Sequence, residues 1–281
     1  MNKYYRLLRI HHWIKNILIF CPVVFGKQLF ELDLFLKALI GFVIFSFICS
    51  AVYIINDIND VDNDRIHPVK CKRPIASGEI SIKKARIITI TLVCFSIAIQ
   101  MILNNSIWAL IYMILYLVLN ISYSMGLKNY PIIDLVILVS GFLIRILYGS
   151  KITGIKISGW LYLMVIAFSF YLSLGKRRNE LNKYGLNKDT RKVLRYYTEN
   201  FLDKNMYMYL ALTNGFYALW AMENQHMIRT VPIVMIICLK YSLNIEGDSE
   251  GDPVEVVIKD KVLIVLCMLY SILVLYILYG G

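Results

Sequence analysis

The chain has 281 residues, of which 58% are hydrophobic and only 17% charged, with a formal net charge of +11 at pH 7. Because soluble domains carry about 25% charged residues, this composition excludes a soluble enzyme and is typical of a protein that crosses the membrane repeatedly. The six cysteines form no CxxC pair and the four histidines share no metal-ligand spacing, so neither a disulfide framework nor a zinc site is expected.

Nine apolar stretches are long enough to cross a bilayer, and the short connections between them leave no room for a soluble domain. We therefore predict an all-α integral membrane protein with a single domain over residues 1–281. The first stretch is the weakest, because Pro22 and Gly26 interrupt it. The predicted spans are approximately 12–30, 34–57, 84–103, 106–123, 131–150, 158–175, 204–222, 228–245 and 261–279.

Lysine and arginine are distributed unevenly between the two sides of these spans. With the N terminus in the cytoplasm, 23 of the 30 lie in inner segments and five in outer segments. Positive residues favour the cytoplasmic side, so we predict a cytoplasmic N terminus in a bacterial-type inner membrane. This rule accounts for most of the net charge, and no nucleic-acid partner is expected. The oligomeric state stays open, and a homo-oligomer is compatible with the sequence.

The N-terminal segment carries its basic residues up to the boundary of the first span. Trp13 suits the interface between water and lipid, where amphipathic rings accumulate. Lys15, close by, has two interpretations: it is either an interfacial anchor or a contact to a substrate.

Three aspartates follow the second span at helical spacing. Asp57, Asp60 and Asp64 would share one face if the helix continues through them. Carboxylates so close together repel one another, so a cation must hold them. Hard oxygen ligands suit Mg²⁺, which usually binds through one or two carboxylates plus substrate phosphates. The alternative is a solvated helix end.

A basic segment comes directly after the acidic one and contains Arg65, Lys70 and Arg73. Acidic residues followed at once by basic residues suit a metal that is bound to a phosphorylated substrate. Further along, Ser81 is predicted to cap the N terminus of the third span.

Two ionisable residues are predicted inside the fifth span. Pro131 fits its first turn, which places Asp134 about one turn into the membrane, and Arg145 lies deeper. Ionisable residues at such depth usually face the bundle interior, where they mark function or pair with one another.

The sixth span ends in three consecutive cations, Lys176, Arg177 and Arg178, directly after Gly175. These cations either mark the cytoplasmic end of the span or bind phosphate in the cytoplasmic cavity that the acidic motif would face. The acidic stretch 246–255, between the last two spans, is predicted to be a solvated flexible turn, and the alternative is a gating or metal-assisting role.

The pattern Asn56-Asp57-x-x-Asp60-x-x-x-Asp64 resembles the first aspartate-rich motif of the UbiA superfamily of membrane prenyltransferases. The resemblance covers nearly the whole chain and implies a nine-helix transmembrane bundle with a cytoplasmic active-site cavity. One branch, the decaprenyl-phosphate phosphoribosyltransferases, is similar in more detail. The segments that carry this closer similarity are 53–57, 64–78, 123–134, 140–145, 175–181 and 251–255.

One departure from the wider superfamily points to that branch. Typical members carry a second aspartate-rich motif near the end of the sixth span, where this chain has Lys176-Arg177-Arg178 and Glu180 is the nearest acid. The resemblance therefore implies a Mg²⁺-dependent enzyme that moves the 5-phosphoribosyl group from 5-phosphoribosyl diphosphate (PRPP) to a polyprenyl phosphate in the bilayer. Diphosphate would be released, and the product would serve the synthesis of cell-envelope glycan precursors.

The resemblance also implies roles for individual residues. The metal site would use Asn56, Asp57, Asp60 and Asp64, and the three aspartates would be the catalytic residues. The residues expected to bind donor or acceptor are Lys15, Tyr53, Arg65, Lys70, Arg73, Lys128, Arg145, Lys176 and Arg177.

Two rival functions remain at this point. The first is a UbiA-type prenyltransferase with a polyprenyl diphosphate donor and an aromatic or quinone-precursor acceptor. The second is a lipid or ion transporter that uses the charged residues inside the spans, although no inverted repeat is visible in the sequence.

Overall fold

A computed structural model describes residues 3–103, 106–184, 192–224, 226–247 and 253–280, and within these ranges every regular element is a helix. The predicted all-α fold is therefore confirmed. The α-helices are α1 (Lys3–Leu8), α2 (Cys21–Phe25), α3 (Leu32–Asn59), α4 (Val61–Ile66), α5 (Ile82–Leu103), α6 (Ile107–Met125), α7 (Ile133–Thr153), α8 (Gly159–Tyr184), α9 (Glu199–Glu223), α10 (Val231–Glu246), α11 (Pro253–Lys259) and α12 (Lys261–Tyr279). The 3₁₀ helices are Ile10–Phe20, Lys70–Lys72, Leu127–Asn129, Lys192–Tyr196 and Met227–Thr230.

Seven helices in the described part of the chain are long and apolar enough to cross a membrane. Each coincides with a predicted span, so the chain is a multi-pass membrane protein. The confirmed spans are those predicted at 34–57, 84–103, 106–123, 131–150, 158–175, 228–245 and 261–279.

The other two predicted spans differ from these seven. The stretch 12–30 is not one long helix, because a 3₁₀ helix (Ile10–Phe20) is followed by the short α2, in whose first turn Pro22 lies. The stretch 204–222 lies within the long helix α9, which is not among the seven apolar helices. The count of nine spans stays a prediction.

The chain divides into two compact units. Unit 1 comprises Met1–Leu127 and Ile144–Lys156, and unit 2 comprises Lys128–Leu143 and Ile157–Gly281. Helix α7 contributes its first half to unit 2 and its second half to unit 1. The single domain predicted over residues 1–281 stays a prediction.

In unit 1 the N-terminal 3₁₀ helix packs closely on the second half of α7. A Cβ atom at Gly149 would lie only 2.2 Å from the carbonyl oxygen of Ile19, so only glycine permits this approach. Around this contact, Phe45 of α3 packs its ring 5.1 Å from that of Tyr148 and 4.8 Å from that of Tyr116, measured between centroids. These ring contacts hold α3 against α6 and α7 beside the 3₁₀ helix.

In unit 2 the core lies around α8, α9 and α10. Tyr171 of α8 donates a hydrogen bond to the backbone carbonyl of Cys238 at 3.1 Å and also bonds the hydroxyl of Ser242 at 2.6 Å. Buried polar groups need hydrogen-bond partners, and the hydroxyl of Tyr171 finds both of its partners on α10. These two bonds fix the register between α8 and α10. The end of α8, which carries the basic triplet, is thereby held in place.

Candidate functional site

The acidic motif lies where α3 passes into α4. Asp60 separates the two helices, but its N–H donates to the carbonyl of Asn56 at 2.9 Å, and its carbonyl accepts from the N–H of Asp64 at 2.8 Å. Helical hydrogen bonding therefore continues through the motif. Asp57 and Asp64 are both buried, with 2% exposed, whereas Asp60 is partly exposed.

Two arginines neutralise the buried carboxylates. Nη1 of Arg73 lies 3.1 Å from Oδ1 of Asp57 and 2.6 Å from Oδ2 of Asp64, and Nη2 of Arg9 lies 2.5 Å from Oδ1 of Asp57. The predicted shared face is confirmed for Asp57 and Asp64, since one nitrogen contacts both. We call these two aspartates with Arg9 and Arg73 the acidic cluster.

The loop after α4 explains how Arg73 returns to the aspartates. The N–H of Arg73 donates to the carbonyl of Lys70 at 2.9 Å, which closes the 3₁₀ turn. Beyond it, the N–H of Ile80 donates to the carbonyl of Pro74 at 2.9 Å, and Pro74, Ile75 and Ile80 are buried. The oxygen of Ser81 accepts from the N–H of Lys84 at 3.3 Å, as predicted for the cap of α5.

The acidic cluster fits a Mg²⁺ ion that keeps water or substrate oxygens as ligands. The described residues contain no group of three His, Cys, Asp or Glu side chains that would cage a metal alone. However, oxygens from Asp57 and Asp64 converge on a single cationic nitrogen. Such a position suits a hard cation that binds one or two carboxylates plus phosphate oxygens.

The other residues predicted near this motif are more exposed. Arg65 bonds the exposed carboxylate of Asp62 at 3.0 Å, and Lys70 is exposed. Tyr53 is partly buried, and the guanidinium carbon of Arg9 lies 4.8 Å from the centre of its ring. Lys15 is partly buried on the 3₁₀ helix Ile10–Phe20.

Arg145 is buried in unit 1 among neutral side chains. Its Nε donates to Oδ1 of Asn16 at 2.6 Å, and its Nη2 donates to the hydroxyl of Tyr116 at 3.0 Å. The alternative in which Asp134 and Arg145 pair with each other is wrong. Eleven residues of helix separate their backbones by about 16 Å along the axis.

Arg177 instead forms the buried ion pair with Asp134 in unit 2. Both side chains are 0% exposed, and Nε of Arg177 lies 2.6 Å from Oδ2 of Asp134, while its Nη1 lies 2.7 Å from Glu180. The hydroxyl of Tyr197 donates to Oδ1 of Asp134 at 2.6 Å and accepts from the N–H of Ile132 at 2.7 Å. We call Asp134, Arg177, Glu180 and Tyr197 the Arg177 cluster.

Tyr197 is a neutral donor in this cluster. Burial raises the pKa of its phenol, and the hydrogen bond to Asp134 raises the pKa further. Helix α7 begins at Ile133, and Ile132 before it has a positive φ of 69°. Pro131 therefore precedes the helix rather than lying in its first turn, and the bond from Ile132 to Tyr197 fixes this uncommon conformation.

The remaining cations at the end of α8 differ in exposure. Arg178 is 9% exposed and forms an ion pair with Asp203, and Lys176 is partly exposed. Lys128 lies partly exposed in the 3₁₀ helix Leu127–Asn129. Within the acidic stretch 246–255, residues 248–252 lie outside the described part of the chain, so the prediction of a solvated turn remains untested there.

Sequence reasoning missed Arg9 and Tyr197. Arg9 is one of several basic residues that were interpreted only as topology signals, and Tyr197 is one of twenty tyrosines. Each contacts an aspartate far away in the chain, 48 and 63 residues distant. The spacing of residues within a helix predicts contacts between near neighbours in the chain, and it cannot predict contacts this remote.

The protein consists of apolar helices and carries buried aspartates at the end of one spanning helix. This combination is typical of a class of integral membrane transferases. The chain belongs to the UbiA prenyltransferase family, whose profile matches residues 18–241. The decaprenyl-phosphate phosphoribosyltransferase of Corynebacterium glutamicum is 32% identical over 98% of this chain and 86% of its own length. The enzyme of the same name from Mycobacterium tuberculosis is 30% identical over 94% of this chain and 90% of its own length.

The fold is also that of solved members of the family. A UbiA homolog from Archaeoglobus fulgidus bound to GPP and Mg²⁺ superposes with a TM-score of 0.71 over 98% of each chain, at 20% sequence identity. The structure of that homolog bound to DMAPP and Mg²⁺ gives a TM-score of 0.72 at 21% identity. The predicted all-α, UbiA-type fold is therefore confirmed, while the nine-helix count and the cytoplasmic cavity stay predictions.

Proposed function

We propose that this protein is a membrane phosphoribosyltransferase that moves the 5-phosphoribosyl group of PRPP to a polyprenyl phosphate and releases diphosphate. The observation that carries this proposal is the end of α8. There, Arg177 and Arg178 are neutralised by Asp134, Glu180 and Asp203, so these carboxylates are engaged by arginines. A prenyl diphosphate donor of the usual type would need carboxylates at this place to bind metal, whereas Asp134 is paired with Arg177 and both side chains are 0% exposed.

The reaction needs little acid–base chemistry. An oxygen of the lipid phosphate attacks ribose C1, and the bond from C1 to the diphosphate oxygen breaks. Because the phosphate is already anionic near neutral pH, no strong general base is required. The main difficulty is to hold two polyanions in line and to stabilise the departing charge.

We assign the metal to the acidic motif. Asp57 and Asp64, with Asn56 and Asp60 beside them, would hold Mg²⁺, which neutralises the leaving diphosphate when it is bound. The side chain of Arg73, already directed at both buried carboxylates, would donate its remaining N–H groups to donor phosphate.

The other predicted cations are assigned by exposure. Lys176 is the cation of the triplet that we assign to phosphate, because it is partly exposed while its two neighbours are buried. Arg177 is assigned a positioning role, since two carboxylates already use its guanidinium. The remaining proposed contacts to donor or acceptor are Lys15, Tyr53, Arg65, Lys70, Lys128 and Arg145.

We further propose that the protein works in the inner membrane with its N terminus in the cytoplasm, because lysine and arginine are concentrated in the loops on that side. A PRPP donor is consistent with this orientation, since such a water-soluble nucleotide precursor would be met at the cytoplasmic face. The lipid product would then supply a pentose for cell-envelope glycans.

The test is a donor comparison with purified protein in detergent. With Mg²⁺ and a polyprenyl phosphate, PRPP should yield a phosphoribosylated lipid that mass spectrometry identifies. A polyprenyl diphosphate offered with an aromatic acid should yield no prenylated acid. The opposite pattern would contradict the proposal and favour the prenyltransferase alternative.

A further inference from the structure

Arg9 lies directly on two residues that belong to the proposed donor site. Its Nη2 is 2.5 Å from Oδ1 of Asp57, and its guanidinium carbon is 4.8 Å from the centre of the Tyr53 ring. The side chain of Arg9 is 17% exposed, whereas that of Asp57 is 2% exposed. Arg9 therefore covers the carboxylate and can itself still reach solvent.

The backbone brings Arg9 to this place at some conformational cost. Its φ and ψ are both 49°, in the left-handed region that non-glycine residues seldom occupy. Helix α3 holds the chain on both sides of this turn. The hydroxyl of Ser50 donates to the carbonyl of Leu8 at 2.7 Å and accepts from Nε1 of Trp13 at 3.0 Å.

The charges of the acidic cluster are balanced in this arrangement. Arg9 and Arg73 bring two positive charges to the carboxylates of Asp57 and Asp64. A divalent cation that approached Asp57 would meet a guanidinium at the same oxygen, and repulsion is strong in a buried, weakly screened position. Arg73 lies 3.1 Å from the same oxygen of Asp57, but it has a second, shorter contact to Asp64 at 2.6 Å. Arg9 is therefore the guanidinium that would have to leave when a metal binds this oxygen of Asp57.

We propose that Arg9 has two successive roles: it is a placeholder, a cation that occupies the metal position on Asp57, and it then binds the phosphate of the donor substrate. Before metal and donor bind, Arg9 neutralises Asp57. When the metal binds Asp57, the guanidinium of Arg9 moves away and donates its hydrogen bonds to a donor phosphate instead. Arginine suits both states because its planar donors match carboxylate and phosphate alike. This inference rests on the proposed function, since it assumes that Asp57 belongs to a metal–diphosphate site.

The first test measures Mn²⁺ binding to purified protein in detergent without donor, by calorimetric titration. Arg9→Gln removes the competing charge, so Mn²⁺ should bind about tenfold more tightly, which corresponds to about 1.4 kcal/mol. Arg9→Lys keeps the charge and should bind Mn²⁺ much as the wild type does. The matched control is Arg6→Ala, because Arg6 contacts Glu79 and the carbonyl of Lys72 rather than the acidic cluster.

The second test measures the affinity for PRPP at saturating Mn²⁺. Arg9→Gln should weaken PRPP binding roughly tenfold, the size of one charge-assisted hydrogen bond. Metal affinity and donor affinity should thus change in opposite directions. A residue that only supports the fold would lower both, and that result, or unchanged Mn²⁺ affinity, would overturn the placeholder role.

A further variant separates this inference from the proposed function. If Asp57→Asn binds Mn²⁺ as well as the wild type does, the metal assignment itself fails. If Asp57→Asn loses Mn²⁺ while Arg9→Gln gains no affinity, only the role of Arg9 fails. Should Arg9→Gln not fold, hydrogen exchange of the wild type decides: amides around residues 9–13 should exchange faster when Mn²⁺ is added, and unchanged exchange would refute the proposal.

Discussion

The acidic cluster and the Arg177 cluster both pair aspartate carboxylates with arginine guanidiniums, yet they differ in which of these groups is buried from solvent. In the acidic cluster the aspartates are buried, while Arg9 and Arg73 remain 17% and 26% exposed. In the Arg177 cluster both Asp134 and Arg177 are completely buried. A cation at the rim can be exchanged for another cation, whereas a sealed ion pair cannot open without disrupting its surroundings. The first arrangement suits ligand exchange, and the second suits rigidity.

Removing the buried cation of the Arg177 cluster is the strongest test of this difference between the two clusters. Arg177→Ala would leave Asp134 buried without its charge partner, and such a loss costs about 3–5 kcal/mol of stability. We expect a clear drop in unfolding temperature, measured by thermal denaturation in detergent. Arg195→Ala, an exposed arginine of the same unit, should leave the unfolding temperature nearly unchanged. Equal stability of the two variants would contradict a sealed, rigid cluster.

The corresponding change in the acidic cluster should leave the protein folded and slow the reaction strongly. Asp57→Asn removes charge that would hold the metal, so phosphoribosyl transfer should fall roughly 10²- to 10³-fold at saturating donor. Asp62→Asn is the matched control, since the carboxylate of Asp62 is exposed and pairs at the surface with Arg65. Steady-state rates with PRPP would test this, and similar rates for both variants would remove Asp57 from the site.

Lys176 tests whether partial exposure marks the cation that meets substrate. Lys176→Ala removes a charged contact to phosphate, worth on the order of 1.5–3 kcal/mol, so the apparent affinity for PRPP should fall roughly ten- to a hundredfold. Lys183→Ala, an exposed lysine further along the same helix, provides the control. If both variants bind PRPP equally well, the triplet serves only as a topology signal.

The smallest expected effect concerns the phenol in the Arg177 cluster. Tyr197→Phe deletes the hydrogen bond to Asp134 and the acceptor for the N–H of Ile132, with a cost of about 1–2 kcal/mol. The neighbouring Tyr196→Phe is the control, because Tyr196 is 69% exposed. Thermal denaturation should rank the variants in the order Arg177→Ala, Tyr197→Phe, Tyr196→Phe, from least to most stable.

Local patterns in the sequence were sufficient for the features that depend on neighbouring residues. Seven of the nine predicted spans coincide with helices that are long and apolar enough to cross a membrane, because length and hydropathy alone decide whether a segment suits the bilayer. The spacing of Asp57, Asp60 and Asp64 predicted a shared face that the structure confirms for Asp57 and Asp64, since helical geometry is set within a few residues.

The contacts that define the two clusters could not be predicted in this way. Arg177 had the appearance of a phosphate ligand from its charge, and only its tertiary partner Asp134, 43 residues away, reveals that it is engaged within the protein. The conformation of the 3₁₀ helix Ile10–Phe20 likewise depends on contacts with residues far away in the chain. Asn16 in that helix bonds Ser46 and Arg145, and these remote contacts fix the segment in a form that its apolar composition does not indicate.

The bond between Asn16 and Arg145 has a consequence for the biogenesis of the protein. The two residues are 129 positions apart in the chain. During synthesis, the N-terminal segment leaves the ribosome long before α7 exists, so it must wait while four of the spanning helices enter the membrane. The contact that Asn16 makes with Arg145 is therefore completed only after α7 has inserted. A nascent chain that is arrested before residue 145 would consequently carry all of its aspartate motif but not yet the buried partner of Asn16.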